Sequence, residues 1–127
     1  MNLHDYFENT QGRGMLATSD RKGVVDVAVY ARPHFVDQET CVFLMADRLT
    51  HKNLQDNAHA AYLFMEQSES YIGKRLYLTK TEESEDQDMI NTLRRKRRRS
   101  STGKQREDAK TFLVYFHVDS IRPLVGD

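Results

Sequence analysis

The chain has 127 residues, and 19 Lys and Arg balance 19 Asp and Glu, so its net charge is zero. A chain of this length can bury one hydrophobic core, so we expect a single domain over residues 1–127. Its 39% hydrophobic content and single cysteine exclude disulfide-rich, collagen-like and wholly disordered proteins. The longest apolar runs have six residues, against the roughly 20 that span a bilayer, and the N-terminus lacks a signal-peptide core. We therefore expect a cytoplasmic protein.

The first elements are predicted to be a short helix and a hairpin. Leu3, Tyr6 and Phe7 stand at helical spacing. The segments Met15–Ser19 and Val24–Ala31 are rich in the β-branched and aliphatic residues of strands. The tetrapeptide DRKG between them has the chemistry of a tight turn.

The middle of the chain is predicted to form three strands and a helix. The apolar run Cys41–Ala46 reads as a strand that buries its thiol. A short helix follows at Thr50–Asn57, with Thr50 as its N-cap. Two further strands are predicted at Ala58–Glu66 and Tyr71–Thr79, where apolar residues recur between turn residues.

The last third is predicted to hold one helix, one loop and one strand. Ser84 and Gln87 form a possible capping box for a helix over Glu85–Arg98. We expect a mobile loop over 100–108, which has no apolar residue, and a last strand at Thr111–Val118. Six strands at hairpin spacing with two or three short helices predict a mainly β protein, an antiparallel barrel or sandwich.

Three of these strands are apolar at every position, over residues 41–46, 60–65 and 112–116. An antiparallel strand with one face in water alternates between apolar and polar residues, so both faces of these strands need cover. Two short helices offer too little surface for this. We therefore expect a second subunit to cover the rest, which makes the protein a homodimer.

The tripeptide Thr50-His51-Lys52 is the best candidate for a binding site. A threonine hydroxyl, the free N–H groups of a first helical turn and a lysine would converge there, as at a phosphate site. The alternative is that Thr50 only caps the helix and Lys52 is a solvated surface charge. Both interpretations stay open on these residues alone.

A second candidate is the basic run Arg94–Arg99, because clustered Lys and Arg bind nucleic-acid backbones. Acidic residues precede the run, which is the charge order that a helix dipole favours in a solvated helix. The five histidines are scattered without metal-ligand spacing, so we expect no metal site. No catalytic acid, base or nucleophile motif is present either, so any enzymatic chemistry would come from a cofactor.

The order of several short motifs resembles the FMN-binding split-barrel family, the superfamily of pyridoxamine 5'-phosphate oxidase, over nearly the whole chain. Each motif is short, and their order and spacing together carry the likeness. The motifs are GMLATS from Gly14 with the Lys22-Gly23 turn, Val27–Arg32, THKNL from Thr50 through to Phe64, YIGKRLYL from Tyr71, and the ending from Phe112 to Leu124.

This resemblance implies a six-stranded antiparallel split β-barrel that binds FMN at the interface of a homodimer. Thr50 and Lys52 match the residues that hold the FMN phosphate, and His51 matches the position between them. The other residues that the resemblance places near the flavin are Val29, Tyr30, Ala31, Arg32, Met45, Ala46, Lys74 and Arg75.

The sequence also departs from this family. Ala28 and Pro33 stand where the full oxidase carries an arginine and a lysine, and Arg32 is the available substitute. The C-terminal extension that binds pyridoxal phosphate substrates is missing, so we do not expect oxidation of pyridoxamine phosphate. Some relatives bind a deazaflavin or heme instead of FMN.

We therefore expect a small FMN-dependent oxidoreductase, reductase or electron carrier of unspecified substrate, with no membrane contact. Two alternatives remain. One is a small barrel that binds nucleic acid through residues 94–99. The other is a split barrel that has lost its flavin and acts as a dimeric interaction module.

Overall fold

The computed structural model describes residues 2–100 and 110–127, with the side chains of 97–100 left out. It contains one antiparallel sheet of seven strands in the order β2-β1-β5-β6-β7-β4-β3, and three helices. In chain order the elements are α1 (Leu3–Asn9), β1 (Gly12–Ser19), β2 (Val25–Val29), β3 (His34–Phe35), β4 (Thr40–Ala46), α2 (Leu49–Asp56), β5 (His59–Glu66), β6 (Gly73–Ser84), α3 (Gln87–Ser100) and β7 (Thr111–Pro123).

The expected mainly β, antiparallel architecture is confirmed, with seven strands where six were predicted. The additional strand, β3, has two residues and follows Pro33, which cannot donate a hydrogen bond to a neighbouring strand. A segment this short after a proline gives no strand pattern in the sequence. The sheet does not close, because β2 and β3 are its two edges. None of the helices in the described ranges is long and apolar enough to cross a bilayer.

One face of the sheet encloses the main core. Leu16, Tyr62 and Phe64 point into it and are fully buried. The Tyr62 hydroxyl occupies the place that a side chain at residue 14 would need, which explains Gly14 in β1. That hydroxyl donates a hydrogen bond to the Tyr30 carbonyl at 3.1 Å, so it ties β5 to the end of β2.

Helix α1 covers the main core at the end of the sheet where β5 finishes. Leu3 and Phe7 enter the main core, and the Phe7 ring stacks on Phe35 with centroids 5.7 Å apart. The Arg32 guanidinium donates to the Phe7 and Thr10 carbonyls at 3.0 and 2.8 Å. It therefore satisfies carbonyl groups at the C-terminus of α1, which lack partners within the helix.

Helix α2 lies at the opposite end, in contact with β1, β2 and β4. Leu54 enters the main core, and the buried Asn53 amide donates to the Thr18 hydroxyl at 3.1 Å. The prediction that Thr50 caps this helix is wrong. Arg48 is the N-cap and Thr50 is the second helical residue, because the chain turns into the helix directly after β4.

Helix α3 packs against the outer side of β4 and β7. Ile90 and Leu93 form a second buried cluster there with Val42, Leu44 and Leu113. The doubly apolar pattern of these two strands is therefore explained by one helix of the same chain. A second subunit is not needed to cover them, which corrects that part of the expectation.

Several element ends differ from the sequence prediction. β6 runs to Ser84 and β7 to Pro123, because these two strands pair beyond the barrel and keep polar residues on a solvent face. The register of that pair shifts at two places, next to Leu78 and Lys80. The shortened β2 ends where its pairing with β1 ends, at Val29.

The predicted capping box of α3 is also wrong. The Asp86 carboxylate accepts from the backbone N–H groups of Asp88 and Met89 at 3.0 and 3.2 Å, so Asp86 caps the helix. Ser84 instead accepts from the Asp86 N–H group in the preceding turn. The predicted loop over 100–108 lies outside the described residues, except for Ser100 at the end of α3.

Candidate functional site

The first turn of α2 offers backbone donors that no side chain in the described part of the chain caps. Its N-cap residue Arg48 has no side-chain acceptor, and the turn contains no acidic residue. Thr50 and His51 are buried in this turn, whereas Arg48 and Lys52 are exposed cations on either side of it. The first N–H groups of a helix attract anions, and two nearby cations strengthen that attraction.

His51 faces the interior of the protein. Its ring stacks on the Phe112 ring of β7 with centroids 4.0 Å apart and planes 8° apart. Nε2 lies 2.9 Å from the Glu83 carboxylate, and Nδ1 lies 3.4 Å from the Asp47 carboxylate. These contacts involve both ring nitrogens. The imidazole is therefore held within the structure, while Thr50 and Lys52 stand on either side of it in the chain.

Glu83 is the centre of a polar network around His51. The Lys80 ammonium and the Gln55 amide donate to one of its oxygens at 2.6 and 2.8 Å. Partial burial alone would raise the pKa of Glu83, but the hydrogen bonds from Lys80, His51 and Gln55 outweigh burial and lower it to about 2. The carboxylate is therefore ionised at neutral pH and accepts a hydrogen bond from His51.

Met45 and Ala46 lie just before this turn, at the end of β4. Met45 is buried in the main core, and Ala46 is half-buried. The Ala46 carbonyl accepts from the Arg48 N–H group at 2.9 Å. Both residues thus form part of the support behind the first turn of α2.

A largely apolar surface covers the outer side of β2, β1 and β5. We call it the outer apolar face; its residues are Met15, Ala17, Val25, Val27, Val29, Ala61 and Leu63. Cross-strand neighbours share a face, and Val29, Met15, Leu63 and Arg75 stand in one such row. Val29 is 82% exposed and Val27 62%, which is unusual for valines in a strand.

The residues that follow Val29 point in different directions. The Tyr30 ring packs edge-on against Phe43 at 6.0 Å, toward the core, while Ala31 is exposed. Arg32 is committed to the C-terminus of α1, as described above. Val29 and Ala31 are therefore the most exposed residues of this segment, whereas Tyr30 and Arg32 are half-buried.

Lys74 and Arg75 are both engaged within the chain. The Lys74 ammonium lies 4.6 Å above the Tyr6 ring, whose hydroxyl donates to Glu66 at 2.5 Å. Burial and the bond to Glu66 raise the pKa of Tyr6. The Arg75 guanidinium donates to the Pro123 carbonyl at 2.9 Å and to the Gly126 carbonyl, so it holds the C-terminal residues against β6.

The structure divides the sequence-predicted residues into two groups. Thr50, His51 and Lys52 lie with Met45 and Ala46 at one end of the sheet. The pairing of β1 with β2 and of β5 with β6 places the other group near the opposite end. Its members are Val29, Tyr30, Ala31, Arg32, Lys74 and Arg75.

Sequence reasoning missed two sets of residues. Glu83 gave no signal as the partner of His51, and Lys80 gave none as the partner of Glu83, because both stand about 30 positions after His51 and approach it only through the fold. The outer apolar face did leave a signal. Valines recur at every second position from Val25 to Val29, and this alternation predicts one shared face.

The basic run of α3 is only partly described. The Arg94 guanidinium donates to the Thr111 hydroxyl at 2.6 Å and so ties α3 to β7. Arg95 contacts Thr92 one turn earlier, and Lys96 is exposed. The side chains of the rest of the run lie outside the described residues.

Two other candidate chemistries find no support in the described part of the chain. No group of three or more His, Cys, Asp or Glu residues there is arranged to hold a metal ion. Cys41 is buried in the main core, and burial raises the pKa of its thiol to about 12. A thiol in this state is not a nucleophile at neutral pH.

Comparison with solved structures finds close matches over the whole fold. An FMN-binding protein from Syntrophomonas wolfei subsp. wolfei superposes with a TM-score of 0.76 and 19% identity, over 99% of this chain and 86% of that protein. HupZ from Group A Streptococcus gives a TM-score of 0.69 and 23% identity, over 96% and 90% of the two chains. An F420 reductase gives 0.73 and 15%, over 94% and 95%.

Proteins designated by similarity to pyridoxamine 5'-phosphate oxidase are among the other matching structures. No family model and no curated protein matches the sequence. At identities below 25% these likenesses establish the architecture of the chain. The chemistry of the protein has to be argued from its own residues.

Proposed function

Because the chain has the split-barrel fold of the pyridoxamine 5'-phosphate oxidase-like superfamily, we propose that it binds FMN and acts as a small flavin-dependent oxidoreductase or electron carrier. The observation that carries this proposal is the first turn of α2. Among the described residues no side chain caps its N–H groups, and exposed Arg48 and Lys52 flank it. The FMN-binding protein of Syntrophomonas wolfei has the same fold.

The donor set of this turn fits a phosphate group. A phosphate monoester carries about two negative charges and accepts several hydrogen bonds. Here Lys52 would supply the main positive charge, and the backbone N–H groups of the first turn and the Thr50 hydroxyl would supply neutral donors. Two acidic residues contact His51 of this turn: Asp47, which is exposed, and Glu83, which is paired with Lys80.

The isoalloxazine ring needs a flat apolar surface with hydrogen-bonding groups at its edge. The outer apolar face supplies such a surface, with Val29 at the end of β2 and the exposed Ala31 just beyond it. The backbone of residues 29–32 would offer polar groups to the ring edge. Met45 and Ala46 would support α2 without touching the ring. Lys74 and Arg75 would contact a flavin only if their present contacts with Tyr6 and Pro123 were broken.

A second copy of the chain is the proposed cover for the outer apolar face. Contiguous apolar surface of this kind is uncommon on a monomer and typical of subunit interfaces. We propose further that the two copies pack so that α2 of one subunit lies near the far end of the other. The two groups of candidate residues could then serve one flavin, although they lie at opposite ends of a single chain.

Bound FMN would accept and pass on electrons or a hydride, which no side chain here can do. The residues of this chain would bind the phosphate, orient the ring and exclude water from one of its faces. A deazaflavin or heme is the alternative cofactor, and the fold match to an F420 reductase favours the deazaflavin of these two. A deazaflavin would use the same apolar surface.

The site is tested by comparing FMN with riboflavin, which lacks the phosphate. We expect Lys52→Ala to raise the Kd for FMN about tenfold or more, because a charge-assisted hydrogen bond contributes at least that much. The Kd for riboflavin should stay unchanged. Lys22→Ala is the matched control, since Lys22 is an exposed lysine in the β1–β2 turn. Equal FMN affinity in wild type and Lys52→Ala would remove the site assignment.

A further inference from the structure

We infer that His51 and Glu83 form a positioning pair, which fixes the first turn of α2 in the geometry that an anion needs. His51 then supports the site from the interior, whereas the resemblance placed it among the cofactor-binding residues. This role rests on the proposed function, because the anion is the phosphate of the flavin.

The packing of His51 restrains its ring at one face and at both nitrogens. The Phe112 ring lies parallel to it at 4.0 Å and blocks movement on one side. The Glu83 carboxylate at 2.9 Å sets the rotation of the ring about its own axis. Because His51 stands between Thr50 and Lys52, this packing also fixes the backbone from which both neighbours project.

Glu83 is itself held from two elements. Lys80, three residues earlier in β6, donates to Oε1 at 2.6 Å, and Gln55 of α2 donates to the same oxygen at 2.8 Å. The other oxygen faces His51. The pair therefore connects α2 to β6 through side chains, whereas the backbone of α2 contacts β1, β2 and β4.

The charges of this network suit an anion site. A lone carboxylate next to the first turn would repel a phosphate, but Lys80 pairs with Glu83 and offsets its charge. Asp47 is the other acidic group that faces His51, and it is exposed to solvent. The network thus orders the turn without leaving a buried negative charge beside the proposed phosphate.

A positioning pair predicts a selective loss of phosphate affinity. In Glu83→Ala the ring loses its hydrogen-bond acceptor, and in His51→Phe the stacking on Phe112 is kept while the hydrogen bond is lost. We expect either variant to raise the Kd for FMN about tenfold and to change the Kd for riboflavin by less than about twofold. Glu82→Ala is the matched control, because Glu82 is the exposed neighbour of Glu83 on the same strand.

The experiment combines these titrations with amide hydrogen exchange of the ligand-free proteins. The amides of Lys52 and Asn57, which bond to carbonyls at each end of α2, should exchange faster in Glu83→Ala than in wild type or Glu82→Ala. Unchanged exchange, or an equal loss for FMN and riboflavin, would overturn the positioning role. If wild type binds no FMN, the proposed function fails, and the exchange data still decide whether Glu83 orders the turn.

Discussion

Replacement of Ile90 by alanine tests whether α3 is the cover of β4 and β7. Ile90 is 0% exposed and packs against the cluster of Val42, Leu44, Leu93 and Leu113. The substitution removes roughly three buried carbon groups, at about 0.8 kcal/mol each. A small residual cavity adds to this, and the better helix propensity of alanine subtracts a few tenths. We expect the free energy of unfolding to fall by about 2–3 kcal/mol.

The assay is urea unfolding followed by circular dichroism, at equal subunit concentration and with the slope m compared between variants. Met89→Ala is the matched control, because Met89 is the adjacent residue and is 39% exposed. Its free energy of unfolding should change by less than about 0.5 kcal/mol. A loss of less than about 1 kcal/mol for Ile90→Ala would refute the reasoning, since it would mean that α3 does not seal this side of the sheet.

Three further predictions concern single groups. The pKa of Glu83 is lowered from its ordinary 4.5 to about 2 in the folded protein, so its stabilising effect is present above pH 4.5 and is lost as the pH falls toward 2. The difference in unfolding free energy between wild type and Glu83→Gln should therefore shrink over that range, and a constant difference would contradict the network. Cys41 should not react with a thiol reagent at neutral pH until urea unfolds the protein, because it is buried and its pKa is about 12. Rapid reaction of the native protein would show that β4 opens. Arg32→Ala should lower the free energy of unfolding by about 1–3 kcal/mol and speed amide exchange in α1. Arg21→Ala breaks an exposed ion pair and should lower the free energy of unfolding by less than about 1 kcal/mol. Equal effects of the two substitutions would argue against a role of Arg32 at the end of α1.

Elements whose signal is local were predictable from the sequence. The apolar run Cys41–Ala46 became β4, and Ala58–Glu66 became β5 to within one residue. The helical spacing of Leu3 and Phe7 placed them correctly on one face of α1. In each case the residues that specify the element lie inside it, so a short pattern was sufficient.

Features that depend on distant residues were not predictable. The extension of β6 to Ser84 is stabilised by pairing with β7, and its charged residues resemble a loop until that partner is known. The apolar residues at every position of β4 predicted a cover on both faces, and the cover of Val42 and Leu44 is Ile90 of the same chain. An apolar pattern predicts that a face is covered without identifying what covers it.

The helical position of the candidate residues was predictable, and their arrangement was not. Thr50 and Lys52 do lie in the first turn of a helix, as the residue types indicated. The inward orientation of His51 follows from Phe112 and Glu83, which the sequence places far from it. The capping role went to Arg48 because the strand before the helix ends at Ala46, and only the fold fixes that position.

The most direct test of the central claim is whether the purified protein retains FMN. The protein is mixed with excess FMN, passed through a size-exclusion column with light-scattering detection, and its visible spectrum is recorded across the protein peak. We expect a two-banded flavin spectrum at about one FMN per subunit, in a peak with the mass of a dimer. A protein peak without flavin absorbance would contradict the account.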